Sequence, residues 1–201
     1  MHVCNTMGVK RTYPQGNMIE DFVSAMQRCT DDLAGHAFKV ANLAVEIGKS
    51  MSLGDEQLAH IQVAGILHDV GKVHLDSAIL GKPGPLDSRE RRHVELHPRF
   101  GFAMTRGGFP APVADAVYSH HEWFDGSGYP RGLSGNGIPL LARVLLVADA
   151  FDAMTSHRCY RAAISAEAAR SELLRMAGPQ FDPGVVEVFL TLPLPSSASV
   201  A

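Results

Sequence analysis

DEQLAHIQVAGILHDVGK, residues 55–72, is the stretch of the sequence that decides the fold. It is apolar almost all round toward its end, which is typical of a central helix that other helices cover on every side. A helix of this kind needs neighbours to bury it, so the stretch predicts a helical domain built around it. His68 and Asp69 follow the apolar run, and Lys72 lies one turn beyond His68. The buried helix is therefore predicted to end in polar side chains.

On both sides of this stretch the chain consists of further apolar periodic segments joined by loops rich in glycine and proline, and none sustains the period-two alternation of a strand. The predicted fold class is all-α. Further helices are expected at residues 19–29, from 31–32 onward, and at 88–104, 113–121, 139–154, 166–176 and 183–190. Pro98 is expected to bend or break the helix at 88–104. Residues 1–17 are predicted to be a flexible arm, 18–192 the domain and 193–201 a disordered tail.

The composition restricts the class of protein. With 201 residues, 46% hydrophobic and 19% charged, the chain suits one globular domain and is neither a disordered protein nor a solvated coiled coil. A formal net charge of -3 gives no sign of a surface for a nucleic-acid polymer. The most apolar segment, 139–150, is shorter than the ~20 residues that a bilayer requires, so no membrane insertion is expected. Three scattered cysteines, Cys4, Cys29 and Cys159, form no disulfide framework and favour the cytoplasm.

Side chains that can bind metal ions fall on or beside the apolar stripes of several predicted helices. In the second helix His36 begins a stripe that continues through Val40, Ala44 and Ile47 at helical spacing. The full set is His36, His68, Asp69, His97, His120, His121 and Asp149. A single histidine in such a place is more often a core residue with a hydrogen-bond partner, but seven such side chains together favour a shared site.

Asp149 gives the strongest reason to expect a cation. It lies in the apolar sequence LLVADAF, where an ionised carboxylate is costly unless a positive charge compensates it. Imidazole and carboxylate ligands without a nearby cysteine suit Fe, Mn, Zn or Ni. Five histidines and two aspartates exceed the ligands of one ion, so Asp69 is expected to bridge two ions about 3.5–4 Å apart. Such a pair generates hydroxide from water at neutral pH and serves displacement at phosphorus.

Two further features fit a phosphate ester as substrate. Lys72 can hold a phosphate oxygen, although a lysine at a helix end is also favoured by the helix dipole. The segment 121–139 is dense in glycine, and Gly126 and Gly128 permit backbone conformations closed to other residues. This loop is expected to hold Tyr129 over the metal cleft, with a plain connector as the alternative.

Two motifs in the chain resemble those of a known family. HDVGK, residues 68–72, resembles the signature of the HD phosphohydrolase superfamily, and HHEWFDGSGYP, residues 120–130, resembles the HHExxDGxGYP motif of its HD-GYP subfamily. Further matches lie at 80–86, 97–101, 138–161 and 181–183, so the resemblance extends over residues 30–190. The dipeptide His-Asp is frequent by chance, whereas the longer motif is very specific.

The resemblance implies an all-α HD-domain bundle with a glycine-rich GYP loop beside a central metal site. It implies hydrolysis of cyclic di-GMP to pGpG, and further to GMP, by a metal-bridging hydroxide. Two divalent ions are implied, with Fe or Mn as the expected metals. The ligands that it implies are His36, His68, Asp69, His97, His120, His121 and Asp149. It makes Asp69 the bridge, places Lys72 on the scissile phosphate, and assigns nucleotide binding to Tyr129, Arg158 and Arg161.

One position departs from the family pattern. Members with a third metal carry a glutamate one helical turn before the first histidine, where this sequence has Asp32. Aspartate is one methylene shorter and also suits the start of a helix. A two-metal site is therefore expected, with Asp32 unassigned. For Arg158 and Arg161 a solvated helix end is the alternative reading of the residues.

Other functions stay open at the level of the sequence. Hydrolysis of 3′,3′-cyclic GMP-AMP is a close variant, because loop contacts decide between guanine and adenine. Another HD hydrolase, acting on deoxynucleotides or guanosine tetraphosphate, is disfavoured by the GYP loop. The alternative outside enzymology is a cyclic di-GMP sensor or scaffold with little turnover that acts through other signalling proteins. Such a protein would usually have a broken ligand set, and here only Asp32 departs from the pattern.

Overall fold

The computed structural model describes residues 16–29, 33–156 and 162–193 of the chain. Within them the fold is helical, with two short 3-10 segments, Val70–His74 and Gly135–Gly137, and no β-strand. The helices are α1 (Gly16–Cys29), α2 (Leu33–Ser50), α3 (Asp55–Leu67), α4 (Ser77–Leu80), α5 (Ser88–Val94), α6 (His97–Thr105), α7 (Ala111–Ser119), α8 (Leu140–Thr155), α9 (Ala166–Arg175) and α10 (Pro183–Thr191). The all-α class predicted from the sequence is confirmed.

Helix α3 lies at the centre of the domain, as its apolar sequence predicts. It packs against α2, α7 and α8, and every residue from Val63 to Leu67 is buried. Helix α8 is a second largely buried helix. Its residues from Leu141 to Ala148 are buried except for Arg143, and it contacts α2, α9 and α10 as well as α3. Burial of these apolar surfaces against one another stabilises the bundle.

The helix at 88–104 is divided in two, as the proline suggests. Asp87 is the N-cap of helix α5, and its side chain accepts hydrogen bonds from the backbone N–H groups of Arg89 and Glu90. The helix ends at Val94. Helix α6 then begins at His97, with Pro98 in its first turn, where a missing N–H has no consequence. After the break α6 packs against the 3-10 helix Val70–His74 and against α7, and His97 is buried.

Two predicted helix ends are wrong by a few residues. The central α-helix was expected to run to Lys72, but it ends at Leu67, and a 3-10 helix takes over after Asp69. Helix α7 ends at Ser119, so His120 lies just beyond it. In both places the backbone leaves the α-helical path where the polar side chains begin. The short helix α4 was not predicted, because four residues carry no periodic signal.

Several sequence predictions lie outside the described residues. These are most of the N-terminal arm, the tail from residue 194, and the assignments of Asp32, Arg158 and Arg161. No helix in the described ranges is both long and apolar enough to cross a bilayer.

Gly65 sets the distance between α2 and α3. A Cβ atom at this position would lie 2.6 Å from Cα of Ala41 and 2.9 Å from its Cβ. We therefore expect Gly65→Ala to push the two helices apart and to lower the free energy of unfolding by about 1–3 kcal/mol. Urea unfolding followed by circular dichroism measures the loss. Gly107→Ala is the control, because a Cβ there meets no atom within 4 Å; equal stability of the two variants would contradict the prediction.

Candidate metal centre

His68 and Asp69 reach the same site because α3 ends at Leu67, directly before them. Adjacent side chains on an α-helix diverge by about 100°, so a continuous helix would separate them. Here His68 caps α3, and Asp69 leaves the helical path with φ −100° and ψ 5° before the 3-10 helix begins. The side chains then turn inward together, and His68 Nε2 lies 3.4 Å from Asp69 Oδ2. Both residues are fully buried.

Three histidines of the site share one local arrangement. In His68, His97 and His120 the ring Nδ1 lies 2.7–2.8 Å from the backbone carbonyl oxygen of the residue three positions earlier. A carbonyl oxygen only accepts, so Nδ1 carries the proton and donates it. With Nδ1 donating to a carbonyl, Nε2 is the ring nitrogen left to bind a metal ion, and in each of the three histidines it points to the centre of the site.

Pro98 explains how one of these carbonyls becomes free. In a continuous helix the carbonyl of Val94 would accept from the N–H of residue 98, but a proline has no N–H. His97 Nδ1 donates to this carbonyl instead, at 2.7 Å. The helix break seen in the fold thus also sets the orientation of a site histidine.

Acceptor atoms face one another at the centre. His97 Nε2 lies 3.2 Å from His120 Nε2 and 3.2 Å from Asp69 Oδ1. His68 Nε2 and Asp69 Oδ1 are buried and have no hydrogen-bond partner among the described residues. Such groups are costly in a protein interior unless something positive satisfies them. Lone pairs of imidazole and carboxylate that converge in this way fit a divalent metal ion.

The candidate ligands form two groups that share Asp69. One group contains Asp69, His97, His120 and His121, and the other contains His36, His68 and Asp69. Within each group the ligand atoms lie within 4.8 Å of one another. The two oxygens of Asp69 serve different neighbours: Oδ1 faces His97 and Oδ2 faces His68 and Lys72.

Asp149 joins the second group through His36. His36 Nε2 lies 3.1 Å from Asp149 Oδ1, and His36 Nδ1 lies 2.6 Å from Asp152 Oδ2. Burial by itself would lower the pKa of His36, but the hydrogen bonds with Asp149 and Asp152 raise it to about 9. His36 is therefore a cation at neutral pH. In this form Nδ1–H donates to Asp152 and Nε2–H donates to Asp149, and a metal ion bound at Nε2 would take the place of the second proton.

The other ionisable groups are held in the states that metal binding requires. Burial lowers the pKa of His120 well below its ordinary value. Desolvation and the neighbouring His97 lower the pKa of His121 to about 3. Burial would raise the pKa of Asp69, but Lys72 and His68 outweigh it and hold the pKa well below the usual range. His120 and His121 are therefore neutral imidazoles, and Asp69 is an ionised carboxylate, as metal binding requires.

Lys72 and Tyr129 border the ligands. Lys72 Nζ lies 2.6 Å from Asp69 Oδ2, on the half-exposed side of the site. The ring of Tyr129 stacks on His121, with 4.9 Å between the ring centroids. Burial raises the pKa of the Tyr129 hydroxyl, which stays protonated at neutral pH.

The glycine-rich loop that carries Tyr129 is fixed from beneath by Glu122. This carboxylate is 1% exposed and accepts hydrogen bonds from the backbone N–H groups of Arg131, at 2.7 Å, and Leu133, at 3.0 Å. The backbone N–H of Tyr129 donates a hydrogen bond to the carbonyl oxygen of His121, with 3.1 Å between nitrogen and oxygen. Gly128 lies so close to the backbone of His121 and Trp123 that a side chain has no room. The loop therefore has a fixed conformation that holds Tyr129 at the edge of the site.

The structure brings together all the candidate metal ligands named from the sequence, and it places Lys72 and Tyr129 beside them. Two residues of the site were missed. Asp152 is a second acidic residue three positions after Asp149 in the same apolar helix, and this spacing could have indicated that it faces the same side. Glu122 stands inside the quoted loop motif, but its partners are backbone groups of the same loop, which leave no trace in the pattern of side chains.

Comparisons with known proteins agree with this geometry. The family model described as HD domain matches residues 17–185. The chain is 38% identical over 155 residues to the cyclic di-GMP phosphodiesterase response regulator RpfG of Xanthomonas campestris, covering 76% of this chain and 41% of that protein. It is 31% identical over 176 residues to the 3'3'-cGAMP-specific phosphodiesterase 2 of Vibrio cholerae, covering 86% of this chain and 34% of that protein. The chain thus spans less than half the length of these relatives.

A solved structure supports the fold. The HDG"Y"P protein Bd1817 from Bdellovibrio bacteriovorus superposes on this chain with a TM-score of 0.64 and 18% identity, over 78% of this chain and 50% of that chain. At this identity the likeness concerns the helical architecture alone.

Replacement of Glu122 tests the support of the loop. Glu122→Gln keeps the shape but places an amide N–H₂ against one of two buried backbone N–H donors. An unsatisfied buried donor costs about 1–3 kcal/mol, so we expect a loss of stability of that order and faster amide exchange at Arg131 and Leu133. Urea unfolding and hydrogen exchange measure both effects. Glu90→Gln is the control, because Glu90 also accepts from a backbone N–H but water can replace it there. Unchanged exchange in Glu122→Gln would contradict the prediction.

Proposed function

The chain belongs to the HD domain family, and from that premise we propose that it is a metal-dependent phosphodiesterase that hydrolyses cyclic di-GMP to pGpG and further to GMP. One observation carries the proposal: buried imidazole nitrogens and carboxylate oxygens from separate helices converge at Asp69, and two of them, His68 Nε2 and Asp69 Oδ1, have no hydrogen-bond partner among the described residues. The motif HHEWFDGSGYP and the relatives named for cyclic di-GMP and cGAMP support the substrate class. Since the chain spans only part of these relatives, its activity is inferred from the site.

We assign four ligands to each of two ions. One ion would be held by His36, His68, Asp69 and Asp149, and the other by Asp69, His97, His120 and His121. Fe or Mn suits this mixture of imidazole and carboxylate. When bound, such a pair of ions activates water and neutralises charge on the phosphoryl oxygens. Asp69 is the group that both ions share, because its two oxygens face the two ligand groups.

Other residues of the chain bind and orient the substrate in this proposal. Lys72 presents its ammonium group next to Asp69, where it can hold an oxygen of the scissile phosphate. Tyr129 offers a protonated hydroxyl and a ring that is fixed against His121. Arg158 and Arg161 are proposed to bind the nucleotide through their match to the family motif, and they lie outside the described residues. Arginine suits both phosphates and guanine edges.

The name of one relative favours a second substrate, and a second role stays open from the sequence. The Vibrio cholerae relative is named for 3'3'-cGAMP, so the same site acting on 3′,3′-cyclic GMP-AMP is the alternative reaction. A sensor or scaffold that binds cyclic di-GMP and recruits signalling proteins is the alternative role. We further propose that the protein works in the cytoplasm of a bacterium, since its scattered cysteines form no disulfide framework.

The reaction is tested by turnover with a defined metal. We expect the protein, purified without oxygen and loaded with Fe(II) or Mn(II), to convert cyclic di-GMP to pGpG in a chromatographic assay. Asp69→Ala should lower the rate at least about 100-fold, because the shared ligand of both ions is lost. Asp55→Ala is the control, since Asp55 is exposed at the other end of α3.

The same assay distinguishes the alternatives. Equal turnover by Asp69→Ala would contradict the bridging assignment. Faster turnover of 3′,3′-cyclic GMP-AMP, run in parallel, would replace cyclic di-GMP as the substrate. Tight binding of either nucleotide without turnover under both metals would favour the sensor.

Lys72 is tested separately from the metal. Lys72→Met removes the ammonium group and keeps the aliphatic stem. A hydrogen bond to a charged group contributes about 1.5–3 kcal/mol, so we expect kcat/KM to fall about 10–100-fold with unchanged metal content by elemental analysis. Lys49→Met is the control on an exposed helix end. Normal kcat/KM in Lys72→Met would leave Lys72 with a helix-end role only.

A further inference from the structure

His36 differs from the other oriented histidines in the partner of its outer nitrogen. His68, His97 and His120 each donate Nδ1–H to a neutral backbone carbonyl. His36 donates Nδ1–H to the carboxylate of Asp152 at 2.6 Å, a contact that joins α2 to α8. In the group of His36 and His68, one outer ring nitrogen thus donates to a carboxylate, whereas those of His97 and His120 in the other group donate to neutral carbonyls.

Asp152 is itself held in place. It is 8% exposed and lies one turn after Asp149 on α8, so both carboxylates face His36. Ser156 donates its hydroxyl to Asp152 Oδ1 at 3.1 Å and accepts from Lys39 Nζ at 3.5 Å. These contacts leave Oδ2 of Asp152 for His36.

A carboxylate in this position changes how an imidazole binds a cation. It fixes the ring orientation, it fixes the proton on Nδ1, and its charge increases the basicity of Nε2. Loss of such a partner typically weakens metal affinity about 10–100-fold. A backbone carbonyl fixes orientation and proton in the same way but adds no net charge.

We propose that Asp152 is a positioning residue that strengthens ion binding at the His36, His68 and Asp149 half of the site and leaves the His97, His120 and His121 half unaffected. This inference rests on the two-ion site proposed above. A buried His–Asp contact that only holds two helices together is the competing explanation. It predicts a change in stability but no difference between the two ions.

Asp152→Asn separates the two explanations. The variant keeps the size of the side chain and an oxygen that can accept from His36, and it removes the charge. Mn(II) is titrated into the ion-free protein by calorimetry, with bound Mn(II) counted by electron paramagnetic resonance. We expect two ions in the unchanged protein. In Asp152→Asn one dissociation constant should rise about 10–100-fold while the other stays within about threefold of its value.

Further variants identify the affected ion. His36→Gln should abolish the same binding event that Asp152→Asn weakens, and His97→Gln should abolish the other one. Asp152→Glu, which restores the charge, should recover part of the affinity. Asp182→Asn is the matched control, because Asp182 is a largely buried carboxylate that pairs with Arg143 away from the site.

The outcomes assign failure to one proposal or the other. Unchanged constants in Asp152→Asn, or equal weakening of both ions, would overturn the role of Asp152 while the two-ion site stands. An unchanged protein that takes up fewer than two ions would overturn the two-ion site, and the inference with it.

Discussion

The site depends on a hydrogen bond that occurs three times, from histidine Nδ1–H to the carbonyl three residues earlier. Each of these bonds fixes the proton on the outside of a ring and leaves a lone pair inside. Because the rings come from different helices, their Nε2 atoms converge on Asp69. The surrounding packing holds these buried polar atoms close to one another.

The fold supplies that packing by bringing helix ends, rather than helix faces, to one point. His68 and His120 lie just after α3 and α7, and His97 is the first residue of α6. At a helix end a carbonyl is released from the backbone ladder and can orient a side chain. Gly71 allows these ends to approach, since a Cβ there would meet the carbonyl of His97. Packing and ligand orientation thus have the same local cause.

The sequence predicts these features unequally, for physical reasons. Helical periodicity marks which side of a segment is buried, so the inward position of His36, His120 and Asp149 could be inferred from apolar neighbours alone. Periodicity also located α8, α9 and α10 to within about two residues. It cannot reveal a change from α-helix to 3-10 helix at Asp69, because that change follows from tertiary packing. Nor does it reveal the partners of Glu122 and Asp152, which are backbone N–H groups later in the same loop and a histidine on another helix.

The balance of charge connects the ligands to the kind of substrate proposed. Asp69, Asp149 and Asp152 supply three negative charges, while Lys72 and the protonated His36 supply two positive ones, so the ion-free site carries a net charge of about minus one. Binding of two divalent ions requires release of the His36 proton and brings the same residues to a net charge of about plus two. A cyclic dinucleotide carries two negative phosphodiester charges, so such a site would be opposite to it in sign and equal to it in magnitude. Without the ions the same residues would repel the substrate. In the proposed two-ion site, the ions would therefore also favour the binding of an anionic substrate electrostatically.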